Sequence, residues 1–341
     1  YTPVDTGRDT ATLRVTTSSN GAYSAALTAE GTATGARTDS FNGMPAPKMD
    51  VLLIVDDSGS MSPYQSSLSA AFPSFTSYAD GQNIDYRIAV TTTSICPNYP
   101  TCSGTYEQNF ASGRFVPLGT GTRVITPSTP NRAAVFDQNV KVGTNGHWDE
   151  RLLRPFWLAL QPPLVNGHNA GFLRSDAQLS VVIVSDAEDA DTVPVTTYVD
   201  FLRNLKAGSP NGFTLHGIIP TQTTPPSGCY YDGGRAYRVE DAIRRTGGFT
   251  EEICTANWST AMGRLGRAAF GPRTRYFLTT PADASAGFTV TVDGQPVSST
   301  TSAGTKRWTY DPATNAIDFE LIEAPKQTST LQISYTARCT P

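Results

Sequence analysis

The sequence predicts an α/β fold: a doubly wound, mostly parallel sheet, with a flanking all-β, sandwich-like domain. Three observations carry this. Val51-Leu-Leu-Ile-Val55 and Leu179-Ser-Val-Val-Ile-Val184 are almost wholly apolar and rich in β-branched residues, the pattern of strands buried on both faces of a parallel sheet. Strand-like and helix-like stretches alternate around them. After residue 272 the hydrophobic period drops to two.

Residues 1–40 are Thr-rich, and Thr12–Thr16 and Tyr23–Ala29 alternate weakly across Ser18-Ser-Asn-Gly21. This reads as a hairpin, which is not stable alone in water. Residues 37–48, with Pro45 and Pro47, read as a linker. Strand 51–55 is followed by a helix over 63–79, with Leu68, Ala71, Phe72 and Phe75 on one face. Ser62, Pro63 and Gln65 look like its N-cap, first position and capping-box residue. A strand at 85–92, a return strand at 114–118, partial helix over 131–142 and a helix over 149–160 come next. Strand 178–185, helix 195–206, strand 214–219, a Pro/Gly-rich loop, helix 235–246, strand 249–253 and helix 257–270 complete the α/β part. Strands near 275–279, 288–293, 306–310, 316–320 and 331–335 form the all-β part, with Asp293-Gly294 as a hairpin turn. The expected domains are 1–40, 48–271 and 275–341, with the first packed on the last and the α/β domain inserted between them.

Charged residues are only 16% of the chain, and the polar remainder is largely Thr, Ser, Gly, Asn and Pro. That balance suits loop-rich extracellular material. A net charge of −4 and a pI near 5.4 give no reason to expect nucleic acid as a partner. Apolar runs stop at about five residues, against the roughly 20 that a spanning helix needs, so no transmembrane segment is expected. The chain opens on Tyr1 without Met, and a removed leader is the expectation. Five cysteines and three histidines, with no Cys-x-x-Cys, argue against zinc. Cys96-Pro-Asn-Tyr-Pro-Thr-Cys102 reads as a local Cys96–Cys102 disulfide. Cys229 and Cys254 could form a second, leaving Cys339 over.

The chemistry concentrates where the first buried strand ends, at Asp56-Asp-Ser58-Gly-Ser60. Sites of open α/β sheets lie at the carboxyl ends of strands. A carboxylate and two hydroxyls at alternate positions can turn toward one point, and small hard cations take oxygen ligands in near-octahedral array. An ordinary polar strand-to-helix loop would use the same residues. Asp57-Ser58-Gly59 also echoes the Asp-Ser/Thr-Gly of aspartic proteases, with Asp5-Thr6-Gly7 as a second copy. The two lie too close together for the two lobes such enzymes need. A phosphotransferase of the haloacid dehalogenase type would want an acid where Ser58 stands.

Asp56-x-Ser58-x-Ser60 resembles the metal-ion-dependent adhesion site of the von Willebrand factor A family. The likeness covers roughly residues 48–271. It implies a loop threonine, placed at Thr144 in Gly143-Thr-Asn-Gly146 with Thr120 and Thr122 of another loop as the alternatives, and a strand-end aspartate, placed at Asp186. In the family the hydroxyls touch the cation and the aspartates bind it directly or through water. The implied cofactor is Mg2+, with Mn2+ or Ca2+ as substitutes. The implied partner is a protein or matrix ligand that offers a carboxylate.

His147 and Trp148 beside Thr144, and Glu188 and Asp189 after Asp186, are candidate rim residues. They could equally pack or be solvated. Glu150, Glu188, Asp189 and Asp191 could make a second, calcium-type site or an acidic rim. Trp308 and Tyr310 could face a carbohydrate or form core pairs. No nucleophile backed by His and no placed general base is visible, so no enzyme is expected. The reading is a secreted or surface-displayed, metal-dependent adhesion protein, similar to extracellular proteins of myxobacteria-like genomes. The alternative is a structural subunit of a surface assembly.

Overall fold

The computed structural model describes residues 7–16, 22–31, 34–43, 47–101, 104, 109–206, 212–320 and 322–338. Cys102 and Cys339, on which two of the expected cysteine roles rest, lie outside them. The chain divides into two compact units, Tyr1–Gly43 with Thr274–Pro341, and Met44–Arg273.

β1 (Gly7–Thr16) and β2 (Ala22–Gly31) form an antiparallel two-stranded sheet of their own. β3 (Thr34–Phe41) follows, where a linker is expected. The α/β unit then runs β4 (Lys48–Val55), α1 (Ser62–Ala70), α2 (Phe72–Gly81), β5 (Asp85–Thr92), α3 (Arg132–Val140) and α4 (Arg154–Ala159). It continues through β6 (Gln178–Val184), α5 (Val195–Leu205), β7 (Phe213–Ile219), α6 (Tyr237–Thr246), β8 (Thr250–Glu252) and α7 (Trp258–Phe270).

The five strands form one parallel sheet in the order β5-β4-β6-β7-β8. Alternation along β4 sends Val51, Leu53 and Val55 to one face and Leu52 and Ile54 to the other. The first face packs on Leu68 of α1, Phe72 and Phe75 of α2, Phe136 of α3 and Leu265 and Phe270 of α7. The second packs on Phe156 of α4, Tyr198 and Leu202 of α5, and Val239 and Ile243 of α6. Burial on both faces is why these strands read as continuous apolar runs.

Three expected elements differ. The single helix over 63–79 is two, parted at Ala71, because Pro73 in the first turn of α2 has no N–H to give to the preceding turn. The helix over 149–160 shrinks to α4, because the Leu152 and Leu153 amides donate to Asp189 Oδ1 at 2.8 and 3.5 Å. The return strand at 114–118 is absent. Val116 N donates to Val90 O at 2.9 Å, but Pro117 can donate nothing, and Ile125 makes the bridge to Ile88 instead.

The remaining strands are β9 (Arg275–Phe277), β10 (Phe288–Val292), β11 (Gln295–Pro296), β12 (Trp308–Asp311), β13 (Ala316–Phe319) and β14 (Leu331–Arg338). They make two antiparallel sheets, β12-β13-β9 and β11-β10-β14-β3. Thus β3 extends a sheet of the carboxy-terminal strands, with Phe41 opposite Leu331 and Thr34 opposite Arg338. Tyr276, Val290, Ile317, Phe319, Ile333 and Tyr335 fill the core of this unit. Trp308 belongs to that core, and its indole N–H donates to Val297 O at 2.9 Å.

Candidate functional site

β4 and β6 are adjacent and parallel, with Val55 opposite Val184. Their carboxyl ends therefore deliver Asp56 and Ser185-Asp186 side by side, and Asp56 N donates to Val184 O at 2.9 Å. Neither aspartate is accessible to solvent. Asp56 is fully engaged: Ser58 N (2.8 Å) and Thr93 Oγ1 (3.4 Å) donate to Oδ1, and Ser185 Oγ (2.5 Å) donates to Oδ2. Asp186 is half engaged. Ser60 Oγ donates to its Oδ1 at 3.1 Å, and its buried Oδ2 has no hydrogen-bond partner among the described residues. Ser58 Oγ lies 3.4 Å from Ser60 Oγ. Two hydroxyls, one free carboxylate oxygen and a second carboxylate thus gather at one corner.

The 143–146 loop is bound to that corner through its backbone. Gln65 does not cap α1, which makes no side-chain cap hydrogen bond. Its amide donates to Asp56 O at 2.8 Å and to Gly143 O at 2.7 Å. Gly146 N donates to Asp57 O at 2.7 Å, and a Cβ on Gly146 would sit 2.5 Å from the Asp57 carboxylate. Only glycine allows that approach. Thr144 is half-buried and makes no hydrogen bond to Asp56, Ser58, Ser60 or Asp186 among the described residues. Asp57 turns to the end of β5, accepting from Thr93 Oγ1 at 3.0 Å and Ser94 Oγ at 2.8 Å.

Glu150 adds a third buried acid. It is 5% exposed, and its Oε1 has no hydrogen-bond partner among the described residues. Burial first, and then the charges of Asp56, Asp232 and Asp186, push its carboxyl up to about 8. Burial and the same neighbours raise Asp186 to about 6, and burial raises Asp56 despite its hydrogen bonds. No Lys, Arg or His pairs with Asp56, Asp186 or Glu150 among the described residues. An uncompensated buried charge of this kind is costly.

The neighbouring acids behave otherwise. Asp189 is buried against Leu152 N and ion-paired to Arg238 at 3.0 Å. Asp191 is gripped by Arg154 and by Tyr198 Oη at 2.7 Å. Burial opposes its charge, but the Arg154 and Tyr198 hydrogen bonds win and hold it down at about 2. Glu188 Oε1 accepts from Asp189 N and Arg238 N. These three side chains hold the 186–191 loop in place. On the other side, His147 N donates to Ser94 Oγ at 2.7 Å, so the loop is tied to the hydroxyl that holds Asp57. Trp148 stacks on His147 with ring centroids 5.4 Å apart and is 81% exposed.

No three His, Cys, Asp or Glu side chains among the described residues are gathered tightly enough to hold a metal ion by themselves. The donors at this corner are chiefly hydroxyls, with Asp186 Oδ2 as the open carboxylate oxygen, a set that suits a small hard cation. Motif reasoning gave Gln65 a helix-capping role instead of its tie to the 143 loop, and it did not single out Thr93, Ser94, Ser185 or the burial of Glu150. The Thr91-Thr-Thr-Ser94 run that ends β5 on the same side was the available signal. Cys229 and Cys254 are bonded to each other, with Tyr64 Oη 3.1 Å from Cys229 Sγ. Cys96 is also disulfide-bonded.

No protein-family model and no curated protein matches the sequence. Among solved structures, proximal thread matrix protein 1 from the mussel byssus is similar at 11% identity and a TM-score of 0.41, over 71% of this chain and 51% of that one. The pilus adhesin SpaC from Lactobacillus rhamnosus GG is similar at 8% identity and a TM-score of 0.40, over 90% of this chain and 42% of that one. The chain thus spans about half the length of these structures or less. No helix of the described residues is long and apolar enough to cross a membrane.

Proposed function

We propose that this chain is an extracellular binding protein whose α/β unit holds a divalent cation, Mg2+ above all, and uses it to capture a carboxylate of a protein or matrix ligand. The observation that supports this most is the set of buried acids with no Lys, Arg or His beside them, with Asp186 Oδ2 and Glu150 Oε1 lacking a hydrogen-bond partner among the described residues. A positive charge at this corner would relieve both the desolvation and the mutual repulsion. Ser58, Ser60 and Asp186 are the residues that would hold the ion, and Asp56 would stand behind them with its hydrogen bonds already fixed. Thr144 belongs to the same donor set on the resemblance to the von Willebrand factor A family. Bound there among neutral hydroxyls, the cation would remain electrophilic enough to exchange a water for a partner's carboxylate.

The chain's own residues would orient that event. Gln65 fixes the 143 loop to the Asp56 backbone, and Ser94 fixes His147, so Trp148 is presented outward from a braced loop. An exposed aromatic on a rigid loop is a typical anchor for a partner. We read the site as non-catalytic.

The test is thermal unfolding with Mg2+, Mn2+ or Ca2+ alone, together with surface attachment in Mg2+ and in EDTA. Wild-type protein should melt higher with metal, by mass action, and Asp56→Ala and Asp186→Ala should remove that gain and the attachment. Attachment that ignores EDTA and both substitutions would refute the reading and favour a structural subunit.

A further inference from the structure

Among the described residues the outer edge of β3 has no pairing strand. β3 is the last strand of the sheet β11-β10-β14-β3, so one side of Thr34–Phe41 is paired with β14. Among the described residues no backbone hydrogen bond reaches its other side. Phe41 locks the strand down by packing on Tyr276, with ring centroids 5.0 Å apart. A held, open edge of eight residues is a template for another strand. Such edges are often blunted by Lys, Pro or a bulge, and Thr34-Gly-Ala-Arg-Thr-Asp-Ser-Phe41 has no Lys or Pro.

The charges on this edge select a partner. Arg37 and Asp39 are two residues apart and so lie on one face. Neither has an ion-pair partner among the described residues. Asp39 accepts from Thr279 N at 2.8 Å and from Tyr335 Oη at 3.0 Å, which fixes its carboxylate beside the edge. Pairing β3 antiparallel with itself about Thr38 sets Arg37 directly opposite the partner's Asp39, twice over. Centring the pair on Arg37 or on Asp39 sets like charges opposite, which is destabilising. Moving the centre one residue further leaves both charges without a counterpart and shortens the ladder.

The geometry points to a two-fold dimer in which β3 pairs with β3 of a second copy about Thr38, joining the two four-stranded sheets into one continuous sheet. The interface is isologous, so it closes at two copies. It lies wholly in the β unit and requires no metal, so it stands apart from the cation reading.

The experiment is sedimentation or light scattering of the full chain over a concentration series, in Mg2+ and in EDTA. Wild type should dimerise equally in both. Arg37→Asp places two acids opposite two acids, and Asp39→Arg places two bases opposite two bases. Each alone should weaken the dimer about tenfold, from two cross-strand pairs turned from attraction to repulsion. An equimolar mixture of the two variants restores opposite charges at both positions and should associate again. Far-UV circular dichroism checks that each variant folds. Should Asp39→Arg not fold, Arg37→Asp decides alone, because Arg37 is exposed. A wild type that stays monomeric at the highest soluble concentration, or a dimer indifferent to Arg37→Asp, overturns the proposal.

Discussion

His216 should make the α/β unit acid-sensitive in a way that a single substitution can isolate. The ring lies in the middle of β7 and is 2% exposed. Phe249 N donates to its Nδ1 at 3.0 Å, so the proton sits on Nε2, which faces Thr214 Oγ1 at 2.9 Å. A second proton would have to displace the Phe249 hydrogen bond inside a core. Burial, aided by the Arg273 charge, accordingly depresses the ring to about 3. In the unfolded chain it titrates near 6.5. Between those values the unfolded state binds a proton that the folded state refuses, so stability falls as pH falls below about 6.5. The gap, at about 1.4 kcal/mol per pH unit, comes to about 5 kcal/mol in full and about 3 kcal/mol by pH 4.5. That is a large share of a typical domain's stability of roughly 5–15 kcal/mol. His216→Asn keeps an acceptor for Phe249 N and cannot charge. It should cost about 2 kcal/mol near pH 7.5 through lost packing. The two stability curves should then cross near pH 5. The assay is urea unfolding from pH 7.5 to 4.5, followed by helical circular dichroism, because α1 to α7 all belong to this unit. Curves that stay parallel across that range would show that the ring is not held neutral.

Two further outcomes follow from packing and covalent structure. A Cβ on Gly266 of α7 would lie 2.0 Å from Phe75 O of α2. Gly266→Ala must therefore push two helices apart, at about 2–3 kcal/mol, and an unchanged helical unfolding transition would refute the close contact. Cys229 and Cys254 are 25 residues apart in sequence, and replacing both with Ser should lower stability by about 3–4 kcal/mol in the loop-entropy description. Thermal unfolding checks this, and a loss near zero would show that the 229–254 segment is already constrained without the bond.

The α/β sheet was legible because its strands are buried on both faces and have to be apolar along their whole length. Asp56 and Asp186 were legible for the same reason, since a polar residue that ends such a run stands at the sheet's carboxyl edge. β3 was not. Its residues are polar and include Gly35, because it is an edge strand with much of its surface exposed, and what makes it a strand is β14, some 290 residues later. Gln65 carries the capping-box pattern, but the Asp56 carbonyl and the 143 loop compete for its amide and win. Glu150 has no local pattern at all. Its isolation in the interior arises from Asp56 and Asp186 arriving from two strands distant in sequence.

The β3–β14 ladder also fixes how this protein would carry tension. Thr34, where the chain enters the ladder, is opposite Arg338, where it leaves. A pull from before Thr34 and beyond Arg338 would act on one end of the ladder and open it like a zipper, one pair of bonds after another. A shearing load, by contrast, would be shared by all eight residue pairs at once. Because the α/β unit is inserted between these two strands, it would feel no load until the last pair, Phe41 with Leu331, had parted. The β unit would therefore yield first, as a mechanical fuse, while the corner holding Asp56 and Asp186 stayed folded.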